Sequence, residues 1–242
     1  MRRTTIIYGG SGGIGSATGR LLRERDHDLH LVGREETKLS AAAEALGAGF
    51  TVGDVCDTGL FARVAAEAGD VVDGLVYAVG TINLRSLSRL TEADFLNDFR
   101  INALGAALAV QAHLPALRRS TGGASVVLFS SVAAVQGFSL HASIGMAKGA
   151  VSGLTLSLAA ELAPQVRVNA IAPSIISTPL AAGILANENI ATAIAGMHPL
   201  PRLGTADDIA TLAAFLLSPD SGWITGQVLS VDGGRSTLRT KN

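Results

Sequence analysis

The segment from Tyr8 to Gly15 is rich in glycine and lies between a strand pattern at residues 5–8 and a helical pattern at residues 17–25. Glycine permits a tight turn and a close approach of the backbone, so amide N–H groups and the start of the helix can face a pyrophosphate. A turn without a ligand is the alternative, which the strand–turn–helix context disfavours. The predicted dinucleotide contacts are Gly9, Ser11, Gly13, Ile14 and Gly15.

The residues after the second strand pattern address the ribose 2′ position of such a cofactor. Arg34 ends Val32-Gly33-Arg34, about twenty residues past the glycines, where an arginine accommodates a 2′-phosphate and a carboxylate would bind a free hydroxyl. Arg34 therefore favours NADP(H) over NAD(H). Glu35 and Glu36 follow and would repel a phosphate, and an ordinary surface role for Arg34 is the alternative.

Several further motifs follow the glycine turn and, with it, cover nearly the whole chain. They are Asp54-Val55, residues 77–80, Asn102 in 101–105, Ser131 after Ser130, residues 167–173, Thr178-Pro179, and the C-terminal segments 202–204, 224–227 and 231–234. Together these motifs resemble the short-chain dehydrogenase/reductase family, in particular its members similar to 3-oxoacyl-carrier-protein reductases. The resemblance implies hydride transfer between C4 of a nicotinamide and a carbonyl carbon.

The resemblance also implies roles for individual residues. Asn102, Ser131 and Lys148 resemble the catalytic positions of the family, and Lys148 would also bind the nicotinamide ribose. The positions that resemble cofactor contacts are Asp54, Val55, Ala78, Gly80, Lys148, Pro173, Ile176 and Thr178.

One catalytic position departs from the family pattern. The family places a proton-donating tyrosine four residues before the lysine, on the same helix face, and this chain has Ile144 there. The spacing from Ser131 to Ile144 fits the family, so a shifted alignment does not restore the tyrosine. An aliphatic side chain exchanges no proton, and neither Tyr8 nor Tyr77 is placed to replace it.

Three neighbours are weaker substitutes for the missing acid. The Cα of His141 lies about 4.5 Å along the axis from that of Ile144 if the helix already includes it, and helical side chains lean toward the N-terminus. His141 would then act only through water or local unwinding; the alternative is a polar residue that lines the cleft. Ser143 points about 100° around the helix axis from Ile144. Ser131 can polarise a carbonyl, but its hydroxyl is too weak an acid to complete the proton transfer.

Seven strand patterns alternate with helical patterns and must position these residues. Near-continuous apolar strands separated by helices indicate a parallel sheet covered on both faces. We predict one α/β domain over residues 1–242, a Rossmann-like doubly wound sheet, with a substrate lid at residues 180–200. The predicted strands are residues 5–8, 29–32, 50–52, 75–77, 125–129, 166–170 and 228–231.

Composition excludes several other classes of protein. The chain has 242 residues, 48% of them apolar and 16% charged, with a net charge of -1, so we expect a folded protein with no nucleic-acid or membrane partner. The single cysteine, Cys56, suits a reducing compartment. We identify no signal peptide and no apolar run long enough to span a bilayer, so we expect a cytoplasmic location. His27 and His30 lack a third ligand at metal spacing, so no metal is predicted.

Three functions follow from these residues. The first is an NADP(H)-dependent reductase of a ketone or 3-oxoacyl group, with impaired or altered proton transfer through water or another relay. The second is a catalytically inactive cofactor-binding subunit that pairs with an active homologue, and a lower-ranked third is a non-redox enzyme that holds the cofactor as structure.

Two segments bear on the partners and the substrate. Small residues between Lys148 and Ala163 predict a subunit interface, by resemblance a homotetramer or a heterotetramer with an active homologue; the alternative is packing on the chain's own sheet. The lid is rich in alanine and isoleucine and favours an apolar or acyl substrate. Its His198 is either a substrate contact or an exposed loop residue, and we expect the second.

Overall fold

A single seven-stranded parallel sheet forms the centre of the molecule. The computed structural model describes residues 2–240, so the predicted domain exceeds it by Met1, Lys241 and Asn242. The strands lie in the order β3-β2-β1-β4-β5-β6-β7, and every neighbouring pair is parallel. Their bounds are β1 Arg3–Tyr8, β2 His27–Gly33, β3 Gly49–Val52, β4 Gly74–Tyr77, β5 Ala124–Phe129, β6 Val166–Pro173 and β7 Val228–Val231.

Helices cover both faces of this sheet. Helices α1, α2 and α9 pack on one face, around a core that includes Ile7, Leu39 and Ile209, and α3, α5 and α6 pack on the other, around Ile6, Val64 and Val151. The helices are α1 Gly13–Arg23, α2 Glu36–Leu46, α3 Gly59–Glu67, α4 Glu92–Phe99, α5 Gly105–Arg118, α6 Ala142–Leu162, α7 Ala182–Leu185, α8 Glu188–Gly196 and α9 Ala206–Leu217.

The predicted doubly wound fold is confirmed, and each predicted strand overlaps an observed one. Strand β5 is buried along its whole length, as a strand between two helical layers must be. The predicted lid holds a short 3₁₀ turn, α7 and α8. Within residues 2–240, no helix combines the length and the apolar character needed to cross a bilayer.

A π-helical turn at Arg100–Leu104 joins α4 to α5 and carries Asn102. Single π turns within α-helices often mark functional sites. Tyr77, at the end of β4, donates its hydroxyl to the carbonyl oxygen of Ile101 at 2.7 Å. Gly105 follows the turn, and a Cβ there would collide with the same hydroxyl oxygen. The phenol of Tyr77 therefore fits against the turn only because residue 105 has no side chain.

The first prediction tests this fit. Gly105→Ala should lower the free energy of unfolding by about 1–3 kcal/mol because it overpacks the phenol, as measured by urea denaturation at fixed protein concentration. Tyr77→Phe in the same chain removes the colliding oxygen and should recover most of the loss. Gly196→Ala, whose added methyl meets nothing within 4 Å, is the control. An unchanged midpoint for Gly105→Ala would contradict this account.

Candidate active site

A cavity of about 260 Å³ opens at the carboxyl ends of β4, β5 and β6. In an open parallel sheet this edge is where ligands bind, beside the point at which the strand order reverses. The cavity brings together eight of the residues predicted from the sequence, and Ile144 with them. The eight are Ile14, Ala78, Gly80, Ser131, Lys148, Pro173, Ile176 and Thr178.

The glycine turn lies where a dinucleotide pyrophosphate would need it. Gly9 has φ +79° and donates its N–H to the carbonyl oxygen of Val32 at 2.8 Å, which ties the turn to the end of β2. A Cβ on Gly15 would overlap the carbonyl oxygen of Gly9, so α1 can approach the turn only with glycine. No side chain among residues 2–240 caps the start of α1 at Gly12, so the first-turn N–H groups are open to an anion. These features fit a dinucleotide.

Two more predicted cofactor contacts, Arg34 and Asp54, lie beside the ends of β2 and β3, at the far end of the cofactor cleft that runs from the cavity past the glycine turn. Arg34 is largely exposed, and its Nη1 lies 3.5 Å from Oδ2 of Asp54. The N–H of Cys56 and the charge of Arg34 lower the pKa of Asp54, although burial opposes them. Ser11 lies close to the end of β2, near Arg34. Its Oγ would be 3.2 Å from a Cβ built on Gly33. Val55, beside Asp54, is buried in the core.

The Lys148 ammonium is buried and lines the cavity. Its Nζ donates to the carbonyl oxygen of Phe129 at 2.9 Å. Burial lowers the pKa of Lys148 to about 8, although the charge of Asp98 opposes the shift. A Cβ on Gly80 would lie 3.3 Å from this Nζ and 3.0 Å from Oδ1 of Asn102, so a larger residue at position 80 would crowd both polar groups.

Two adjacent serines at the end of β5 have different roles. Ser131 lines the cavity, and its Oγ accepts from the N–H of Ala133 at 3.1 Å, which leaves its hydroxyl hydrogen available to a ligand. Ser130 is buried, and its Oγ bonds to the carbonyl oxygen of Lys148 at 3.0 Å and to Oγ of Ser152 at 2.8 Å. Of the two, Ser131 is therefore the serine whose hydroxyl hydrogen is available to a ligand in the cavity.

Ile144 projects from α6 into this cavity, four residues before Lys148, and is 5% exposed. Neither tyrosine reaches the cavity. Tyr8 is completely buried in the core, and Tyr77 is bonded to Ile101; burial raises the pKa of both phenols. The reacting end of the cavity thus has an ammonium and a hydroxyl but no phenol.

His141 lines the cavity but precedes α6, which begins at Ala142. Its Nδ1 lies 2.7 Å from the carbonyl oxygen of Ser139. A carbonyl only accepts, so Nδ1 carries the hydrogen and, in the neutral ring, Nε2 carries none. The hydrogen on Nδ1 is thus bonded to Ser139, and Nε2 is the ring nitrogen that remains for a ligand or water in the cavity.

Asn102 lies one layer behind the cavity and is 2% exposed. Its Nδ2 donates to the backbone oxygen of Asp98 at 2.8 Å and to Oγ1 of Thr81 at 2.9 Å. The buried Asp98 carboxylate accepts from Thr81 at 2.6 Å and from Ser143 at 2.5 Å. Ser143 is therefore bonded away from the reacting end, and this network fixes Asn102 behind Gly80.

The expectation that His198 is exposed is wrong, since it is 5% exposed. Its Nδ1 lies 2.8 Å from the carbonyl oxygen of Ile194, and its Nε2 lies 2.9 Å from Oγ of Ser174. The segment after α8 folds back on the end of β6, which an alanine-rich sequence does not reveal.

Sequence reasoning missed three side chains of this site. Phe138 and Arg235 line the cavity, and Asp98 forms the network behind it. No local pattern marks any of them, because each meets the site through chain segments distant in sequence. Among residues 2–240, no cluster of three or more potential metal ligands is found.

Comparison with known proteins finds relatives among reductases and dehydrogenases. A family model described as enoyl-(acyl carrier protein) reductase matches residues 9–236. A tropinone reductase homologue of Arabidopsis thaliana is 34% identical, over 96% of this chain and 78% of the relative. Carbonyl reductase family member 4 of Danio rerio is 33% identical, over 98% of this chain and all of the relative. A short-chain type dehydrogenase/reductase of Mycobacterium ulcerans superposes with a TM-score of 0.91 at 30% identity, covering 98% and 90% of the two chains.

The second prediction concerns the two walls of the cofactor cleft. A Cβ on Gly13 would lie 2.7 Å from Cγ2 of Thr178, so Gly13→Ala should displace that segment and raise the Kd for NADPH about tenfold, as measured by cofactor fluorescence. Thr178→Ser keeps the hydroxyl, removes the methyl group and should restore most of the affinity in the double variant. Thr178→Ser alone is the control. Equal losses in the single and double variants would refute this steric explanation.

Proposed function

Because the chain belongs to the short-chain dehydrogenase/reductase family, whose members use NAD(P) and whose reductases act on carbonyl groups, we propose that it is an NADP(H)-dependent carbonyl reductase with an altered proton route. The observation that carries the proposal is that Ser131, Lys148 and Ile144 line one cavity. The groups for binding and polarising a carbonyl are present, and the usual phenol is replaced by a hydrocarbon.

The preference for NADP(H) is supported by the charges at the adenosine end of the cleft. Arg34 is exposed at the end of β2 and meets Asp54 at 3.5 Å, a weak exposed contact that a phosphate can replace. Glu35, the nearest carboxylate in sequence, is bonded by Lys38 at 2.7 Å, and this bond lowers the pKa of Glu35. Its negative charge is thus partly offset by a partner other than Arg34.

The proton must come from a group other than residue 144. The cofactor, when bound, supplies a hydride to the carbonyl carbon, so the carbonyl oxygen must gain one proton. The Ser131 hydroxyl orients that oxygen and donates a hydrogen bond to it. The Lys148 ammonium passes a proton through a water molecule to the oxygen and is reprotonated from solvent. The cavity of about 260 Å³ has room for water beside a substrate, since one water takes roughly 30 Å³.

This route is slower than direct donation from a phenol. Loss of a positioned general acid typically costs a factor of roughly 10²–10⁴ in rate. Orientation of the substrate against the cofactor is a separate contribution, and it does not depend on Ile144. We therefore propose a reductase that keeps its binding function and part of its rate.

A second function is favoured by the same side chain. Ile144 is a hydrocarbon at the reacting position, whereas the glycine turn fits a dinucleotide. A chain that binds the cofactor without turnover would act as the inactive subunit of an assembly with an active homologue. The two functions differ in whether the native chain consumes NADPH.

Assembly through α6 is part of the proposal for either function. Gly149 and Gly153 have open space where a Cβ would lie, and Met146 and Leu156 are 51% and 57% exposed. These residues share the face of α6 turned away from the sheet, so the alternative that all the small residues pack on the chain's own sheet is disfavoured. A homotetramer or heterotetramer would bury this apolar face.

The segment at residues 180–200 is proposed as the substrate lid. It contributes Leu180, Ala181, Ile184 and Ile194 to the cavity wall. An apolar lid excludes water from the reacting groups and favours an apolar or acyl body on the substrate.

The third prediction concerns the cofactor. Arg34→Ala should raise the Kd for NADPH at least tenfold and leave the Kd for NADH nearly unchanged, because only NADPH carries the 2′-phosphate. Arg119→Ala, at an exposed arginine paired with Asp70, is the matched control. Tighter binding of NADH than of NADPH by the native chain would reverse the proposal.

The fourth prediction concerns the proton. Ile144→Tyr should raise the rate of NADPH oxidation with a ketone panel by a factor of roughly 10²–10⁴, and Lys148→Met should abolish the native rate. Reduction needs the ammonium form of Lys148, whose pKa is about 8, so the native rate should be flat below this pH and fall about tenfold per pH unit above it.

Two outcomes decide between the proposed functions. Turnover by Ile144→Tyr but not by the native chain would favour the inactive subunit. A native chain that matches the tyrosine variant at every pH would show that another acid serves the site.

A further inference from the structure

The chain turns sharply after β7 and carries Arg235 to the cavity. Gly233 and Gly234 have φ +62° and +85°, a conformation that glycine adopts without strain. The Asp232 carboxylate accepts from the N–H of Gly234 at 2.8 Å and of Ser236 at 2.9 Å. The turn is therefore held from within, and Arg235 sits in the cavity wall with His141 and Ile144.

The guanidinium of Arg235 is held by neutral groups. Its central carbon lies 4.8 Å from the ring centroid of Phe138. Its Nη1 donates to Oγ of Ser174 at 3.3 Å, and its Nη2 lies 3.5 Å from the sulfur of Met197. Among residues 2–240, no carboxylate oxygen lies within 4.0 Å of its nitrogens, whereas Arg202 is paired with Asp208 at 2.6 Å.

A chain of hydrogen bonds fixes this orientation. His198 uses Nδ1 to donate to the carbonyl oxygen of Ile194, and its Nε2 shares a hydrogen bond with Oγ of Ser174. The oxygen of Ser174 is then an acceptor for Arg235. Burial lowers the pKa of Arg235, so the guanidinium has lost part of its hydration, and it is still charged at neutral pH.

The rest of the cavity wall explains which ligand this charge would suit. Most of the lining is aliphatic or aromatic, and the charged side chains in it are Lys148, which belongs to the reacting end, and Arg235. An arginine has five N–H donors in a planar fork that matches a carboxylate. The charge of Asp232 acts on Arg235 and opposes the effect of burial, but no carboxylate among residues 2–240 forms an ion pair with the guanidinium. A partly desolvated cation without such a pair favours a ligand that brings an anion.

We propose that Arg235 is the specificity residue of this cavity and binds the carboxylate of an oxo acid whose apolar body extends toward Ser131. The identity of the reacting group rests on the proposed function, but the carboxylate site does not. Phe138 stacks on the guanidinium and limits its movement. A substrate whose acyl group is carried as a thioester or amide lacks this anion and would be the poorer ligand.

The test measures binding without turnover. Octanoate and the near-isosteric neutral octanamide are titrated into the full chain by calorimetry at pH 7, with and without NADPH. The native chain should bind octanoate at least tenfold more tightly than octanamide. Arg235→Met should remove this preference, Arg235→Lys should keep part of it, and Arg119→Met should leave it intact.

Either of two results would overturn the inference, namely equal affinities for the two probes in the native chain or an unchanged preference in a folded Arg235→Met variant. Circular dichroism of each variant establishes folding, and Arg235→Lys serves if Arg235→Met does not fold. An Arg235-dependent preference in a chain that reduces no carbonyl would sustain this site and refute only the reductase. Reduction of ketones without any preference for octanoate would sustain the reductase and refute the carboxylate site.

Discussion

The parallel direction of all seven strands is the constraint on which the site depends. It places every carboxyl end at one edge of the sheet, where the turn after β1, the serines after β5 and the bend after β6 meet. Parallel strands need helical crossovers, and these crossovers bury both faces of the sheet. Ser131 therefore lies on a short segment whose base is fixed by a packed core, while Ile144 and Lys148 lie on α6, which packs against the same core.

The chemistry of the cavity depends on the absence of a phenol as well as on the cations in its wall. Lys148 and Arg235 are two cations in a wall that is otherwise mainly apolar. The first is bonded to a backbone carbonyl and the second to a hydroxyl and a sulfur. The absence of a phenol from such a site eliminates one proton donor and leaves both cations in place, so the proposed binding of cofactor and substrate does not depend on residue 144.

Much of the fold and part of the site could be predicted from the sequence. Strand patterns and the glycine turn are local signals, and the structure places all seven strands and the turn where those signals indicated. Contacts between distant segments carry no such signal. His198 is buried because the segment after α8 returns to Ser174. Asp98 is buried because α4 packs on α6. Arg235 reaches the cavity only through a glycine turn near the C-terminal end of the described chain.

Helix α6 has two working surfaces that share one backbone. Ile144 and Lys148 point inward to the cavity, while Met146, Gly153 and Leu156 point outward. Both surfaces belong to one helix, so a subunit packed on the outer surface would contact the same helix that holds the ammonium on the inner one. If the proposed assembly forms through this face, the interface between subunits and the reactive amine share one structural support.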